Sequence, residues 1–216
     1  MEAAERSTLC DSPREEFASC ITHGLGVLFS VGAMVWMLLL AQGEPFRTVS
    51  AAVFGISLVL LYTSSTLYHV VSNHRAKEIF QILDHACIYL LIAGTYTPLT
   101  LVALRGPWGW SLFGIVWFFA LAGVLVKTCF TGKKDHWLST ALYLVMGWLA
   151  VIAINPLLHA LPLAGLAWLV AGGISYTLGV VFFAWKRLPF NHAIWHLFVL
   201  GGSLCHVLAV ALYILR

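Results

Sequence analysis

Seven long runs of apolar residues, separated by short polar breaks, make up most of the chain. The runs cover residues 19–41, 48–71, 79–103, 108–127, 137–160, 163–185 and 192–214. Each is long enough to cross a hydrocarbon core of about 30 Å at a rise of about 1.5 Å per residue. Because backbone groups in lipid must hydrogen-bond within their own segment, such runs predict helices rather than strands. The pattern therefore predicts an all-α membrane protein, a bundle of seven transmembrane helices.

The fifth run is the least regular of the seven. Asn155-Pro156 interrupts it, and the break at 161–162 that follows carries no charge. Proline lacks an N–H and disturbs the interior of a helix, so a six-span arrangement stays open at this stage. Residues 1–17 hold five acidic side chains and two arginines, which predicts a short solvated tail before a membrane domain over 18–216.

Composition excludes an ordinary soluble domain. Apolar residues make up 61% of the chain and charged residues 10%, whereas soluble domains carry about 25% charged residues. Such a chain lacks the polar groups to cover a water-facing surface, and membrane lipid is its expected partner. The formal net charge is +3. The basic residues that produce it flank the spans, so they give no indication of a nucleic-acid partner.

The basic residues are divided unevenly between the two sides of the predicted bundle. The side of the N-terminus holds Arg6, Arg14, Arg75, Lys77, Lys127, Lys133, Lys134, Lys186 and Arg187, and the other side holds Arg47, Arg105 and Arg216. Lysine and arginine are enriched in cytoplasmic loops. The distribution therefore predicts a cytoplasmic N-terminus and, with seven spans, an external C-terminus.

Polar residues inside the spans are concentrated near the side of the N-terminus. Asp84 is the only carboxylic acid well inside a predicted span, and His23, His69, His192 and His196 lie at a similar depth on the same side. Ionisable groups are costly in hydrocarbon, so an acid or a histidine there is a functional candidate by default. His206, near the middle of its span, and His159, near the opposite face, are expected to be structural.

His192 and His196 form an HxxxH pair on one helix face, one turn apart. In a chain with nine histidines the pair also fits two interfacial side chains without a metal. With His69 at matching depth, the set offers three imidazoles. Zinc with three protein ligands and one open position is the arrangement of catalytic zinc sites. The three histidines therefore predict a Zn²⁺ site.

Ser65 and Asp84 complete the candidate site. Ser65 precedes His69 by four residues and shares its helix face, where it either bonds to its own helix or directs its hydroxyl toward water or substrate at the metal. Asp84 fits a structural pair with a basic group, a general base beside the metal, or a direct fourth ligand. His85 points about 100° away from Asp84, so the two are not expected to serve one metal.

Several motifs resemble one known family. They are Glu16 with THGLG (22–26), SSTLYH (64–69), DHACIYLLIAGTYTP (84–98) and PFNHAIWH (189–196). Over about residues 16–214 the chain resembles bacterial hemolysin III proteins, of the progestin and adipoQ receptor superfamily. That superfamily is similar to alkaline ceramidases in a Ser-x3-His, an Asp and a His-x3-His. The resemblance implies a multi-pass protein of the bacterial inner membrane, with a cytoplasmic N-terminus, zinc held by His69, His192 and His196, and Asp84 holding a water at the zinc.

Three functions remain open on this basis. The first is a zinc-dependent membrane hydrolase that acts on a lipid amide or ester in membrane lipid homeostasis, with Asp84 and Ser65 as catalytic groups. The second is a sensor or receptor-like protein in which zinc ties helices together without catalysis. The third is a cytolysin, which little in the spans supports. An open zinc position beside a lipid-accessible cavity would favour the first, and a closed four-ligand site the second.

Overall fold

A computed structural model describes residues 12–129 and 136–216 of the chain. The helices are named after the spans they form: α1 (Pro13–Leu40), α2 (Pro45–Val70), α3 (His74–Pro98), α4 (Pro107–Cys129), α5 (Trp137–Ala160), α6 (Leu163–Ala184) and α7 (Asn191–Tyr213). Within these residues, seven helices are long and apolar enough to cross a membrane. The predicted all-α, seven-span fold is confirmed, and the orientation of the termini stays a prediction.

The first helix begins earlier than the apolar run that predicted it. Ser12 caps it by a reciprocal capping box, in which Glu15 N donates to Ser12 Oγ and the Glu15 carboxylate accepts from Ser12 N. Pro13 occupies the first helical position, where its missing N–H costs nothing. Residues 13–17 of the predicted tail are consequently helical, and residues 1–11 lie outside the described part.

The irregular fifth span still crosses as one unit. It consists of an α-helix to Trp148, a 3₁₀ stretch over Leu149–Ala153 and a helical segment over Ile154–Ala160. Pro156 lies in the first turn of the last segment, where backbone N–H groups have no partner within the helix. Tyr96 of α3 satisfies backbone groups beside the 3₁₀ stretch, since its hydroxyl donates to the carbonyl of residue 147 and accepts from the N–H of residue 150. The seven-span arrangement therefore holds over the six-span alternative.

Helix α2 packs closely between α1 and α3. Phe54, Leu58 and Tyr62 on this helix are fully buried against its neighbours. Close approach by α1 depends on Gly26, because a Cβ at that position would overlap the ring of Tyr62. The bundle is less tightly packed around α5, which leaves a cavity bounded mainly by α3, α5, α6 and α7.

Candidate metal centre

Three histidines from two helices converge at the end of the bundle where α1 begins. His69 lies in the last turn of α2, and His192 and His196 lie in the first two turns of α7. Each offers one ring nitrogen, and these three atoms lie within 4.8 Å of one another. The ring centroids are 4.6 to 5.1 Å apart. The chain thus brings together the three residues that spacing and depth selected as candidate ligands.

The imidazole of His69 is oriented by Glu16 of α1. His69 Nδ1 donates to Glu16 Oε2 at 2.8 Å, so Nδ1 carries a proton. The other nitrogen, Nε2, is buried and has no hydrogen-bond partner among the described residues. A histidine that binds a metal through one ring nitrogen usually donates the N–H of the other nitrogen to a carboxylate or a carbonyl in this way. The orphaned Nε2 therefore has the surroundings of a metal ligand.

The charge of Glu16 is balanced by Lys77 of α3. Lys77 Nζ donates to Glu16 Oε1 at 2.9 Å and to the carbonyl oxygen of Tyr68 at 3.2 Å. Lys77 is buried, and the Glu16 side chain is only 15% exposed. A buried cation and carboxylate are tolerated when each is paired and hydrogen-bonded. One carboxylate therefore joins α1, α2 and α3 beside the histidine cluster.

His196 is oriented by backbone and side-chain groups of α1. Its Nδ1 lies 3.2 Å from the carbonyl oxygen of Ser19 and 3.1 Å from Thr22 Oγ1. Because a carbonyl oxygen can only accept, Nδ1 carries the proton and Nε2 keeps its lone pair. His196 is 1% exposed. Like His69, it therefore presents one buried nitrogen with the electronic state that a metal requires.

Asp84 and Ser65 stand beside the histidine cluster rather than within it. Both are buried, and the Asp84 carboxyl faces Ser65 and His69. Ser65 Oγ forms no hydrogen bond of standard geometry to the described residues. The cluster whose ligand atoms lie within 4.8 Å comprises the three histidines, without Asp84. This placement favours the hypothesis that Asp84 acts on a group bound at the cluster.

His23 forms part of the site in a way that the sequence did not indicate. Its ring stacks on His196 with centroids 3.4 Å apart and contacts Tyr62 edge-on. It is buried, and neither of its nitrogens has a hydrogen-bond partner within the described ranges. His85, by contrast, donates from Nδ1 to the carbonyl oxygen of Gln81 on its own helix.

An apolar cavity of about 140 Å³ extends from this cluster into the bundle. Asp84, His192 and His196 line one end of the cavity, and His206 lies at the other. Along α7, the fourteen residues from His192 to His206 correspond to about 21 Å. The histidine cluster therefore opens on an elongated apolar space at the depth of lipid acyl chains.

Sequence reasoning placed Glu16 in a solvated tail and missed its role. The structure instead makes Glu16 the hydrogen-bond partner of His69. The sequence does contain a signal for this, because Ser12 and Glu15 match the pattern of a capping box. A capping box there starts the helix at Pro13 and therefore includes Glu16 in it. His23 was seen at the right depth, but its stack on His196 depends on how α1 packs against α7.

The fold and the cluster define a seven-helix membrane protein with a three-histidine candidate metal centre. The family model described as Haemolysin-III related matches residues 12–207, and the chain belongs to that family. It is 47% identical to Hemolysin-3 of Bacillus cereus over 204 residues, which cover 94% of this chain and 93% of that protein. It is 48% identical to the Hemolysin-3 homolog of Bacillus subtilis (strain 168) over 205 residues, covering 94% and 96% of the two chains.

A mammalian relative is more distant. The Monocyte to macrophage differentiation factor of Homo sapiens is 30% identical over 210 residues, which cover 94% of this chain and 85% of that protein. The resemblance to hemolysin III proteins is confirmed. Together with the seven apolar helices, these matches make the chain a multi-pass bacterial membrane protein.

Proposed function

We propose that the protein is a zinc-dependent membrane hydrolase that acts on a lipid amide or ester. The observation that carries this proposal is the buried three-histidine cluster, which lies beside an acid and opens on an apolar cavity. The substrate carbonyl would lie at the cluster, and its acyl chain would occupy the cavity.

The donor set fits zinc. Imidazole nitrogen is a common zinc ligand, and three protein ligands leave one coordination position open. His69 and His196 each have their Nδ1–H engaged by α1, which leaves Nε2 for the ion. When bound, zinc would polarise the substrate carbonyl and increase the acidity of water at the site.

Asp84 and Ser65 supply the remaining chemistry. The Asp84 carboxylate would accept a proton from the water that attacks the carbonyl carbon and return it to the leaving amine or alcohol. The Ser65 hydroxyl, which faces the Asp84 carboxyl, would donate to the oxygen on which negative charge develops. Both side chains are buried, so these interactions act with little competition from water.

The shape and depth of the cavity favour a lipid substrate. Two of its lining residues, His192 and His206, are separated by about 21 Å of helix rise along α7, which exceeds the roughly 15 Å of hydrocarbon in one leaflet. Its walls are mostly apolar, and its polar side chains include Asp84 and His192 beside the cluster and His206 further along α7. An acyl chain can therefore lie in the cavity while its amide or ester group stays at the cluster.

The test uses purified protein in nanodiscs that contain ceramides and phospholipids, with and without a chelator. We expect zinc-dependent release of fatty acid, and we expect Asp84→Asn to lose the release while it keeps its zinc. Glu78→Gln, which changes an exposed acid on the same helix, serves as the matched control. If zinc-loaded protein releases no fatty acid across a broad lipid panel, the hydrolase proposal is wrong.

The second candidate is a zinc-containing membrane sensor without catalysis. The observation in its favour is that the cluster joins the end of α2 to the start of α7, so a bound metal would fix two helices relative to each other. Bound zinc together with a lipid that stays intact would support this candidate. Two relatives are named for hemolysis, and lysis of erythrocytes by purified protein would support a cytolysin instead.

A further inference from the structure

The cavity holds a second pair of polar side chains at the end far from the histidine cluster. His206 of α7 and Tyr176 of α6 both line it, with their rings nearly parallel and centroids 5.5 Å apart. Ten residues of helix separate His206 from His196, which corresponds to about 15 Å. The pair is therefore too far away to act on the metal centre directly.

The surroundings of His206 are built to hold an imidazole. A Cβ on Gly172 would stand 2.7 Å from His206 Nε2, so glycine provides the space that the ring occupies. Nδ1 of His206 is buried and has no hydrogen-bond partner among the described residues. A buried polar atom without a partner costs about 1–3 kcal/mol. An apolar residue at this position would avoid that cost. The presence of histidine instead favours a ligand that hydrogen-bonds to His206 Nδ1.

Tyr176 is a second polar group in the same wall. Tyr62 donates its hydroxyl proton to Ser203 Oγ at 2.7 Å, and Tyr176 Oη lies 2.9 Å from the same oxygen. Either hydroxyl of the Tyr176–Ser203 pair can be the donor. In the arrangement in which Ser203 donates to Tyr176 Oη, the hydroxyl proton of Tyr176 is available to a group in the cavity.

We propose that His206 and Tyr176 recognise a hydroxyl group in the distal half of an acyl chain. This inference rests on the proposed function, because it places the carbonyl of that chain at the histidine cluster. An extended chain advances about 1.2 Å per bond, so 15 Å corresponds to about twelve bonds from the carbonyl. A hydroxyl near carbon 12 would hydrogen-bond to the imidazole and to the tyrosine, whereas an unsubstituted chain leaves His206 Nδ1 without a partner and Tyr176 with Ser203 alone.

The direct test compares the binding of stearic acid and 12-hydroxystearic acid to zinc-loaded protein by calorimetry. We expect the hydroxy acid to bind about three- to tenfold more tightly, as one net hydrogen bond in an apolar site would give. His206→Phe keeps an aromatic ring in the space beside Gly172 and should remove the preference. Tyr176→Phe should reduce it independently, so the test does not depend on one variant.

Two controls identify the cause of any preference. His159→Phe makes the same change at an exposed position outside this cavity and should leave the preference intact. The ethanolamides of the two acids separate the possible sources of the chain. A preference in both forms shows recognition of the chain whatever its headgroup, and a preference confined to the free acids identifies a free hydroxy fatty acid as the ligand.

The two proposals fail in different ways. Equal binding of stearic and 12-hydroxystearic acid to wild-type protein would overturn the distal recognition and leave the acyl cavity in place. A preference that survives both His206→Phe and Tyr176→Phe would also overturn it. If neither acid binds to zinc-loaded protein, the acyl cavity itself is wrong, and the hydrolase proposal loses its support from shape.

Discussion

Replacing Glu16 by Gln should weaken zinc binding although Glu16 is not a proposed ligand. The carboxylate accepts the Nδ1–H of His69 at 2.8 Å and thereby fixes the ring so that Nε2 faces the cluster. An amide oxygen can accept the same proton, but a hydrogen bond to an ionised group is roughly twice as strong. Losing such an orienting partner typically costs about 10–100-fold in metal affinity, which equals about 1.4–2.7 kcal/mol.

The substitution also affects Lys77, and the two effects can be separated. With Gln at position 16, the buried ammonium group of Lys77 loses the carboxylate that accepts from it at 2.9 Å, which should lower the thermal stability. Lys77→Met removes the cation but keeps the contact between Glu16 and His69. We expect this second variant to change the melting temperature while zinc affinity stays near the wild-type value.

The assay is a competition titration of zinc against a chelator on protein in nanodiscs, with the melting temperature measured in parallel. Glu78→Gln, an exposed acid that pairs with His74 at 3.7 Å, controls for the loss of one negative charge near the same end. If Glu16→Gln binds zinc within twofold of wild type while folded, the carboxylate does not orient a ligand. Equal zinc loss in Lys77→Met would assign the effect to stability instead.

Three further outcomes follow from the structure. Purified protein should contain about one zinc per chain, and His192→Ala combined with His196→Ala should abolish it; full occupancy in metal analysis of the double variant would place the site elsewhere. Gly26→Ala should lower stability by about 1–3 kcal/mol through overlap with the buried Tyr62 ring, whereas Gly32→Ala, with open space around it, should be neutral in the same thermal-shift assay. A reporter fused to the C-terminus should be active outside the cytoplasm, and cytoplasmic activity would contradict the orientation expected from the basic residues.

The seven spans could be predicted because they follow from one-dimensional properties, length and apolarity. Their ends could not be predicted as well. The start of α1 at Pro13 depends on a cap formed by Ser12 and Glu15, which apolarity does not detect. The 3₁₀ stretch of α5 lies before Pro156, because proline has no N–H for the carbonyl of residue 152 and its ring clashes with that carbonyl. The sequence shows the proline, but it does not show that Tyr96 of a neighbouring helix bonds to backbone groups in this region.

The candidate site could be predicted in part for a related reason. Polar groups at one depth on different helices are forced together when the only alternative is contact with lipid, so depth, together with the HxxxH spacing, selected His69, His192 and His196, and depth placed Asp84 beside them. The cavity had no such signal. It exists because α5 packs loosely against its neighbours, and side-chain periodicity cannot show how tightly two helices approach. His206 was accordingly expected to be structural, although it lines the cavity wall.

The start of α7 shows how strongly the site depends on α1. Phe190, which precedes the helix, has a left-handed backbone with φ 59°, an unfavourable conformation for a bulky residue. Its N–H donates to Glu15 Oε1 at 2.8 Å. The contact joins the first turn of α1 to the residue before Asn191, and so it fixes the position from which His192 enters the cluster.

The same helix determines which ring nitrogen carries a proton in two candidate ligands that are far apart in the sequence. Glu16 accepts from Nδ1 of His69 on α2, and the carbonyl oxygen of Ser19 accepts from Nδ1 of His196 on α7. The two acceptors lie three residues apart, on one face of α1. A shift or rotation of α1 would therefore release both rings at once, and each could then turn its lone pair away from the cluster. The geometry of the candidate metal centre is consequently a property of how α1 packs between α2 and α7, although α1 itself contributes none of the three histidines.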